Sequence, residues 1–254
     1  MNFNYDTKEV HRKKKFGYVN YIVDNYLSGF KSERAILMPG VTWESEKIFA
    51  EKGIITADTT YLFFENNNNL SDKSDSFYYE KLKENWCKMF HKKSISDLKY
   101  DEKYAFGIYN GSLHEIKYNV DLNRKEDNFF DFAFYDTCST LTHVSEWIPR
   151  HLSVHKKGSK IMMTFDLDAT NRTRGKDIEN IISYNKEFNL LDLNDFKCDI
   201  CSKFTNEIIL KKINQKVFTF INFLKHHGMI TKFASIYQED KTSKVLMLLY
   251  GEKI

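Results

Sequence analysis

The stretch FFDFAFYDTCSTLTHVSEW, residues 129–147, begins as an apolar run and ends among polar residues. Its first eight residues, 129–136, have the aromatic and apolar density of a buried β-strand. An acid, a thiol and three hydroxyls come next, and an amphipathic segment follows from residue 143. Two interpretations fit this junction. Either Ser139 or Thr140 caps a helix, or the polar residues line the mouth of a binding site. The fold around the junction decides between them.

Apolar runs of this kind recur along the chain and alternate with amphipathic segments. Besides 129–136, strands are predicted at 34–40, 54–58, 103–112 and 159–167. Helices are predicted at 8–29, at 41–53, at 77–93, at 143–158 with an interruption or kink at Pro149, and over most of 177–227. The last two runs, MITKFASIYQ and KVLMLLYGE, predict a hairpin. This order predicts an α/β fold: a mostly parallel sheet with helices on both faces and a C-terminal antiparallel hairpin.

Composition places the chain among folded proteins without a membrane span. Of its 254 residues, 42% are hydrophobic, and no linker-like break appears, which predicts a single domain over 1–254. Within it, 1–33 form an N-terminal helical extension and 34–254 the core. No apolar run reaches the roughly 20 residues of a membrane helix, and no secretory signal is seen. Four unevenly spaced cysteines do not suggest disulfides, so a cytoplasmic protein is expected. Lysine outnumbers arginine 32 to 6, as in viral or AT-rich genomes.

The order of elements resembles the class I, S-adenosylmethionine-dependent methyltransferases, whose Rossmann-like sheet ends in an antiparallel hairpin. LMPGVTWES (37–45) stands at the first strand and its turn, and IITAD (54–58) at the second strand with its terminal acid. YNGS (109–112) stands at the end of the third strand and FAFYDTCST (132–140) at the end of the fourth. The resemblance covers roughly 34–254, and it implies S-adenosylmethionine as the cofactor.

Strand ends in such sheets supply the ligand-binding residues. The resemblance implies that Pro39 and Gly40 let the backbone approach the cofactor and that Asp58 accepts hydrogen bonds from the ribose hydroxyls. It also implies that Asp136, as the catalytic candidate, holds the methionine amino group or a substrate nucleophile. The remaining cofactor-binding candidates are Asn110, Ser112 and Thr137. The first turn has one glycine where the family has several, which leaves open a catalytically inactive relative that binds a nucleic acid or a protein partner, such as a viral accessory factor.

The methyl acceptor is suggested only by charge. The chain lacks the Asn/Asp-Pro-Pro-aromatic turn of base-amino enzymes and the Pro-Cys of cytosine enzymes, and Thr164 stands where ribose 2′-O enzymes have a lysine of their Lys-Asp-Lys-Glu set. Two basic stretches, 11–15 and 171–176, are candidates for phosphate contacts. The substrate-binding residues predicted in the second are Arg172, Arg174 and Lys176. They slightly favour a nucleic acid as the acceptor, and a plain solvated surface is the alternative.

Other chemistries have weaker support in the sequence. The Cys198–Cys201 pair has zinc-finger spacing, with His226 and His227 downstream, but a single pair favours buried thiols, so no metal is predicted. Cys138 as a nucleophile lacks a clear base. A nucleotide-binding Rossmann-like enzyme is a third functional hypothesis, and the absence of GxGxxG and of a Walker lysine counts against it.

Overall fold

The structure is a computed structural model. It describes residues 13–38, 44–65, 84–91, 108–110, 130–167, 196–199, 207–237 and 245–254. Four helices with defined bounds are α1 (Lys13–Tyr26), α2 (Glu44–Glu51), α3 (Leu141–Leu152) and α4 (Glu207–His226). Residues 84–89 form a further short helical segment. No helix in these ranges is long and apolar enough to cross a membrane.

Eight strands of the described chain form one sheet. They are β1 (Arg34–Leu37), β2 (Thr60–Glu65), β3 (Ile108–Asn110), β4 (Phe130–Thr140), β5 (His155–Asp166), β6 (Phe196–Asp199), β7 (Met229–Tyr237) and β8 (Leu246–Lys253). Their spatial order is β3-β2-β1-β4-β5-β8-β7-β6. The first five strands in this order, from β3 to β5, are parallel to one another, whereas β8 is antiparallel to both β5 and β7. The predicted α/β class, the mostly parallel Rossmann-like sheet and the C-terminal hairpin are therefore confirmed.

Helices α1 and α2 cover one face of the sheet. Alternate residues of β4, Phe132 and Phe134, are fully buried there against Phe49 of α2, with ring centroids 5.1 and 5.5 Å apart. An aromatic contact fixes α1 over the hairpin, because the ring of Tyr21 lies 5.2 Å from that of Phe233 in β7. The side of the sheet where the parallel strands end is called here the carboxyl edge, and the side where they begin the amino edge. Since α1 precedes β1, it runs from the carboxyl edge back to the amino edge.

The other face is covered by α3 and α4. Tyr135 and Ala133 of β4 point to this side, where they pack with Trp147 of α3 and Phe220 of α4 in one buried cluster. Pro149 lies inside α3. The period-2 alternation of β4 thus fills both layers, as expected of a central strand buried on both faces.

At the amino edge, a buried carboxylate ties β1 to β4. Asp131, 4% exposed, accepts hydrogen bonds from the Ser32 hydroxyl at 2.6 Å and from the backbone N–H groups of Glu33 at 2.9 Å and Arg34 at 3.2 Å. Lys156 lies 3.5 Å from the same carboxylate. These bonds satisfy backbone groups that would otherwise lack partners where β1 begins.

Three predictions of secondary structure are wrong. Residues 54–58 are not a strand: Ile54 and Ile55 are buried, but they belong to a loop that ends in a turn before β2. The helix predicted at 143–158 is observed as Leu141–Leu152, and 155–158 already belong to β5. Residues 196–199 of the predicted helical region form β6, which pairs in parallel with β7. The strand predictions at 34–40, 129–136 and 159–167 are confirmed at their centres.

Candidate functional site

The strand order reverses between β1 and β4, so a ligand-binding crevice is expected outside the carboxyl ends of these strands. Leu37, the last residue of β1, lies in register with Phe63 of β2 on one side and with Phe134 of β4 on the other. Two residues beyond that row lie Glu65 on β2 and Asp136 on β4. With neighbouring strands about 4.8 Å apart, these two positions flank the end of β1 at a separation of roughly 10 Å. Open α/β sheets bind ligands at such a switch point.

Asp136 is held by two side chains of the chain itself. Its Oδ2 forms an ion pair with the Lys15 ammonium group of α1, and its Oδ1 accepts a hydrogen bond from the Thr164 hydroxyl of β5. The exposed fraction of the Lys15 side chain is 6%, against 21% for that of Asp136. The Lys15 Nζ also lies 5.5 Å from the ring centroid of Phe134. The lysine is therefore the buried member of the pair, and the carboxylate is the member that reaches solvent.

Thr137 ties β4 to β5 next to Asp136. Its hydroxyl donates to the backbone carbonyl of Thr164 at 2.8 Å, and it is only 6% exposed. Asp136 and Thr164 are also register partners. The backbone of β5 therefore holds Thr137, and the hydroxyl of Thr164 holds Asp136. The role of Thr137 seen here is to join two strands.

The prediction for Asp58 rested on a strand that does not exist. Asp58 is exposed and lies in a turn, where its N–H donates to the Thr56 hydroxyl at 3.1 Å. The turn precedes β2, and Thr59 bonds the carbonyl of Ser32 ahead of β1. Asp58 therefore sits at the amino edge, on the opposite side of the sheet from the crevice. The assignment of Asp58 to the ribose site is wrong in position.

The acid that does end the second strand is Glu65. It closes β2 in register with Asn110, the last residue of β3. Glu65 was not predicted as a site residue, because the second strand was placed at 54–58 on the basis of the buried pair Ile54 and Ile55. TYLFFE (60–65) carries the better strand signal, with β-branched and aromatic residues followed at once by a polar run.

Lys15 was also missed, although a signal was present. It occupies the buried stripe of α1 together with Val19, Ile22 and Val23, at helical spacing. A lysine inside an apolar stripe needs a partner for its charge, so its position indicates a buried acid nearby.

Several predicted site residues lie outside the described residues. They are Pro39, Gly40, Ser112, Arg172, Arg174 and Lys176. Asn110 lies within β3, at its carboxyl end. Thr140 occupies the N-cap position of α3 in an extended conformation but makes no side-chain capping bond, so the capping interpretation of its hydroxyl is not supported.

No group of three or more histidine, cysteine or acidic side chains is arranged for a metal within the described ranges. Cys198 lies in β6, and Cys201 lies beyond the described part. Cys87 lies on the segment 84–89 and is not part of a disulfide within the described residues.

A second polar cluster is buried on the α3 side, away from the crevice. The Tyr135 hydroxyl lies 3.0 Å from Nε2 of His155 and 3.1 Å from Nδ1 of His151. The other ring nitrogen of His155 lies 3.3 Å from the carbonyl of Phe130, which fixes that nitrogen as the donor. Burial, with a smaller contribution from His151, lowers the pKa of His155 from 6.5 to about 3. The histidine is neutral in the folded protein at ordinary pH.

No protein-family model matches the chain, and no curated protein matches it in sequence. Among solved structures, it is similar to an O-methyltransferase from Bacillus cereus in complex with SAH, at 12% identity and a TM-score of 0.47, covering 95% of this chain and 81% of that one. It is also similar to the O-methyltransferase TomG from Streptomyces achromogenes in complex with SAM, at 10% identity and a TM-score of 0.49, covering 95% of this chain and 80% of that one. A third similar structure is the N-methyltransferase NodS from Bradyrhizobium japonicum, at 8% identity and a TM-score of 0.46, covering 95% of this chain and 98% of that one. The fold assignment rests on the strand order and registers themselves.

Proposed function

We propose that this protein is an S-adenosylmethionine-dependent methyltransferase. The observation that carries the proposal is the sheet order β3-β2-β1-β4-β5 followed by the antiparallel β8, with Glu65 and Asp136 flanking the end of β1. This is the strand order of the class I family that the sequence resembles. It brings two acids to the crevice where that family binds its cofactor.

Each acid has a distinct chemical task in this proposal. A carboxylate at Glu65 accepts hydrogen bonds from the two hydroxyls of a ribose, because adjacent hydroxyls match its two oxygens. Asp136, ionised beside Lys15, accepts a hydrogen bond from the amino group of the methionine part. The cofactor supplies an electrophilic methyl group on a sulfonium, so alignment of the acceptor provides most of the catalysis.

Thermal unfolding with a matched set of ligands tests the cofactor assignment. Only a ligand that binds the native state raises the melting temperature, and the rise grows with its concentration over Kd. S-adenosylmethionine and S-adenosylhomocysteine are expected to raise it, whereas NAD and ATP are expected to leave it unchanged. A rise with NAD or ATP alone would support the nucleotide-binding alternative and end the methyltransferase proposal.

For the acceptor, a nucleic acid is the proposal that the charges support best. Arg172, Arg174 and Lys176 follow β5 in sequence, beyond its carboxyl end at Asp166. Of the stretch 11–15, Lys15 is committed to Asp136, so only its other basic residues are candidates for phosphate contacts.

Transfer of a labelled methyl group from S-adenosylmethionine to pooled RNA and DNA tests this acceptor class. Replacing Arg172, Arg174 and Lys176 together by alanine is expected to reduce transfer and its salt dependence, because phosphate contacts are lost. The matched control replaces three exposed lysines near the amino edge, Lys31, Lys52 and Lys157. Equal loss in both variants would refute a specific role of 172–176. Cofactor binding without transfer to RNA, DNA or protein would favour the non-catalytic alternative.

A further inference from the structure

The ion pair between Lys15 and Asp136 links the N-terminal helix to the crevice. Lys15 lies in the first turn of α1, and its ammonium group is held by the carboxylate and lies 5.5 and 5.7 Å from the ring centroids of Phe134 and Phe16. A buried ammonium is costly unless it is paired. The pair is asymmetric in exposure, at 6% for the lysine and 21% for the aspartate. Lys15 therefore lies behind the carboxylate, on its protein side.

Thr164 completes the support from the sheet. Its hydroxyl donates to the oxygen of Asp136 that Lys15 does not contact, and it is itself 4% exposed. One donor thus comes from α1 and the other from β5, which restricts rotation of the carboxyl group. Without this cation, a carboxylate that is about four-fifths buried would lose a favourable charge partner, which makes protonation or rotation toward solvent more favourable.

We propose that Lys15, with Thr164, is a positioning residue: it keeps Asp136 ionised and oriented at the carboxyl edge of β4 to receive the amino group of the cofactor. The inference rests on the proposed function and assigns to α1 a part in forming the cofactor site. Lys15 acts through Asp136 in this account and does not itself touch the ligand.

Isothermal calorimetry with S-adenosylmethionine on a double-mutant cycle tests the inference. Lys15→Met is expected to weaken binding roughly 10- to 150-fold, the range for loss of a hydrogen bond to a charged group. In an Asp136→Asn background, Lys15→Met is expected to have no further effect, because its action passes through the carboxylate. Lys15→Arg, which keeps the charge, is expected to restore most of the affinity. Lys13→Met, exposed in the same helical turn, is the control and should bind normally.

The outcomes separate this inference from the proposed function. If the unmodified protein does not bind S-adenosylmethionine, both are overturned. If it binds and Lys15→Met binds equally well, or more tightly because the lysine competes with the ligand for the carboxylate, only the positioning inference is overturned. An added loss in the Asp136→Asn background would likewise refute it. Thr164→Val keeps the ion pair, so it decides the matter if Lys15→Met does not fold: a loss of roughly 3- to 10-fold supports the inference, and unchanged affinity refutes it.

Discussion

Acid should destabilise the protein through one buried histidine. His155 is 4% exposed, bonded to the Tyr135 hydroxyl and the Phe130 carbonyl, and its pKa is lowered to about 3 by burial. In the unfolded chain the same group titrates near 6.5. Below that pH the unfolded state binds a proton that the folded state does not, so stability falls with pH. Between pH 7.5 and 5 the expected loss from this histidine is about 2 kcal/mol.

Urea unfolding of the unmodified protein and of His155→Gln at several pH values isolates this contribution. The variant is expected to be less stable at pH 7.5, because an amide only partly replaces the two ring contacts. The difference between the two proteins should shrink by about 2 kcal/mol on going to pH 5, since the variant has lost the titrating group. Asn25→Gln, a replacement at an exposed residue of α1 that does not titrate, should show a constant difference. A constant difference for His155→Gln as well would refute the assignment of this histidine as buried and neutral.

Two further predictions concern the scaffold. Asp131→Ala should lower the free energy of unfolding by about 2–4 kcal/mol, because it leaves buried donors at the start of β1 without an acceptor. Its control is Asp24→Ala, which removes an exposed ion pair and should lower the free energy of unfolding by less than about 0.5 kcal/mol. Gly251→Ala should lower the free energy of unfolding by about 1–3 kcal/mol, because the added Cβ would lie 2.6 Å from the Ile230 carbonyl oxygen. In Gly17→Ala the added Cβ meets nothing within 4 Å, so this replacement should stabilise α1 by about 1 kcal/mol. Urea unfolding measures all four, and a reversed order within either pair would contradict the packing described.

Elements with a clear periodicity were predictable from the sequence, and a mostly parallel sheet followed from their alternation. Within the run 129–136, residues 132–135 are apolar on both faces of the strand, as a central strand requires, and this strand is observed at the centre of the sheet. The C-terminal hairpin was predictable for the same reason. Short apolar pieces were not: Ile54 and Ile55 are buried from a loop, and two buried β-branched residues have the same local pattern as a short strand.

The site was less predictable than the fold, because its contacts are distant in sequence. Asp136 was identified from its place at a strand end, but its partner Lys15 lies 121 residues earlier, and the local sequence does not encode that pairing. The error at Asp58 shows how one misplaced strand moves a predicted ligand to the wrong edge of the sheet. Once β2 is placed at 60–65, Glu65 follows directly.

The central claim is that the carboxyl edge, with Glu65 at the end of β2, binds S-adenosylmethionine. Calorimetric titration of the cofactor into the unmodified protein, Glu65→Ala and Asp58→Ala measures this directly, since Glu65 is the last residue of β2 and Asp58 lies in the turn before its first residue. The account predicts binding by the unmodified protein, a loss of roughly 10- to 150-fold in Glu65→Ala, and unchanged affinity in Asp58→Ala. No binding at millimolar cofactor, or a weaker Asp58→Ala beside a normal Glu65→Ala, would contradict it.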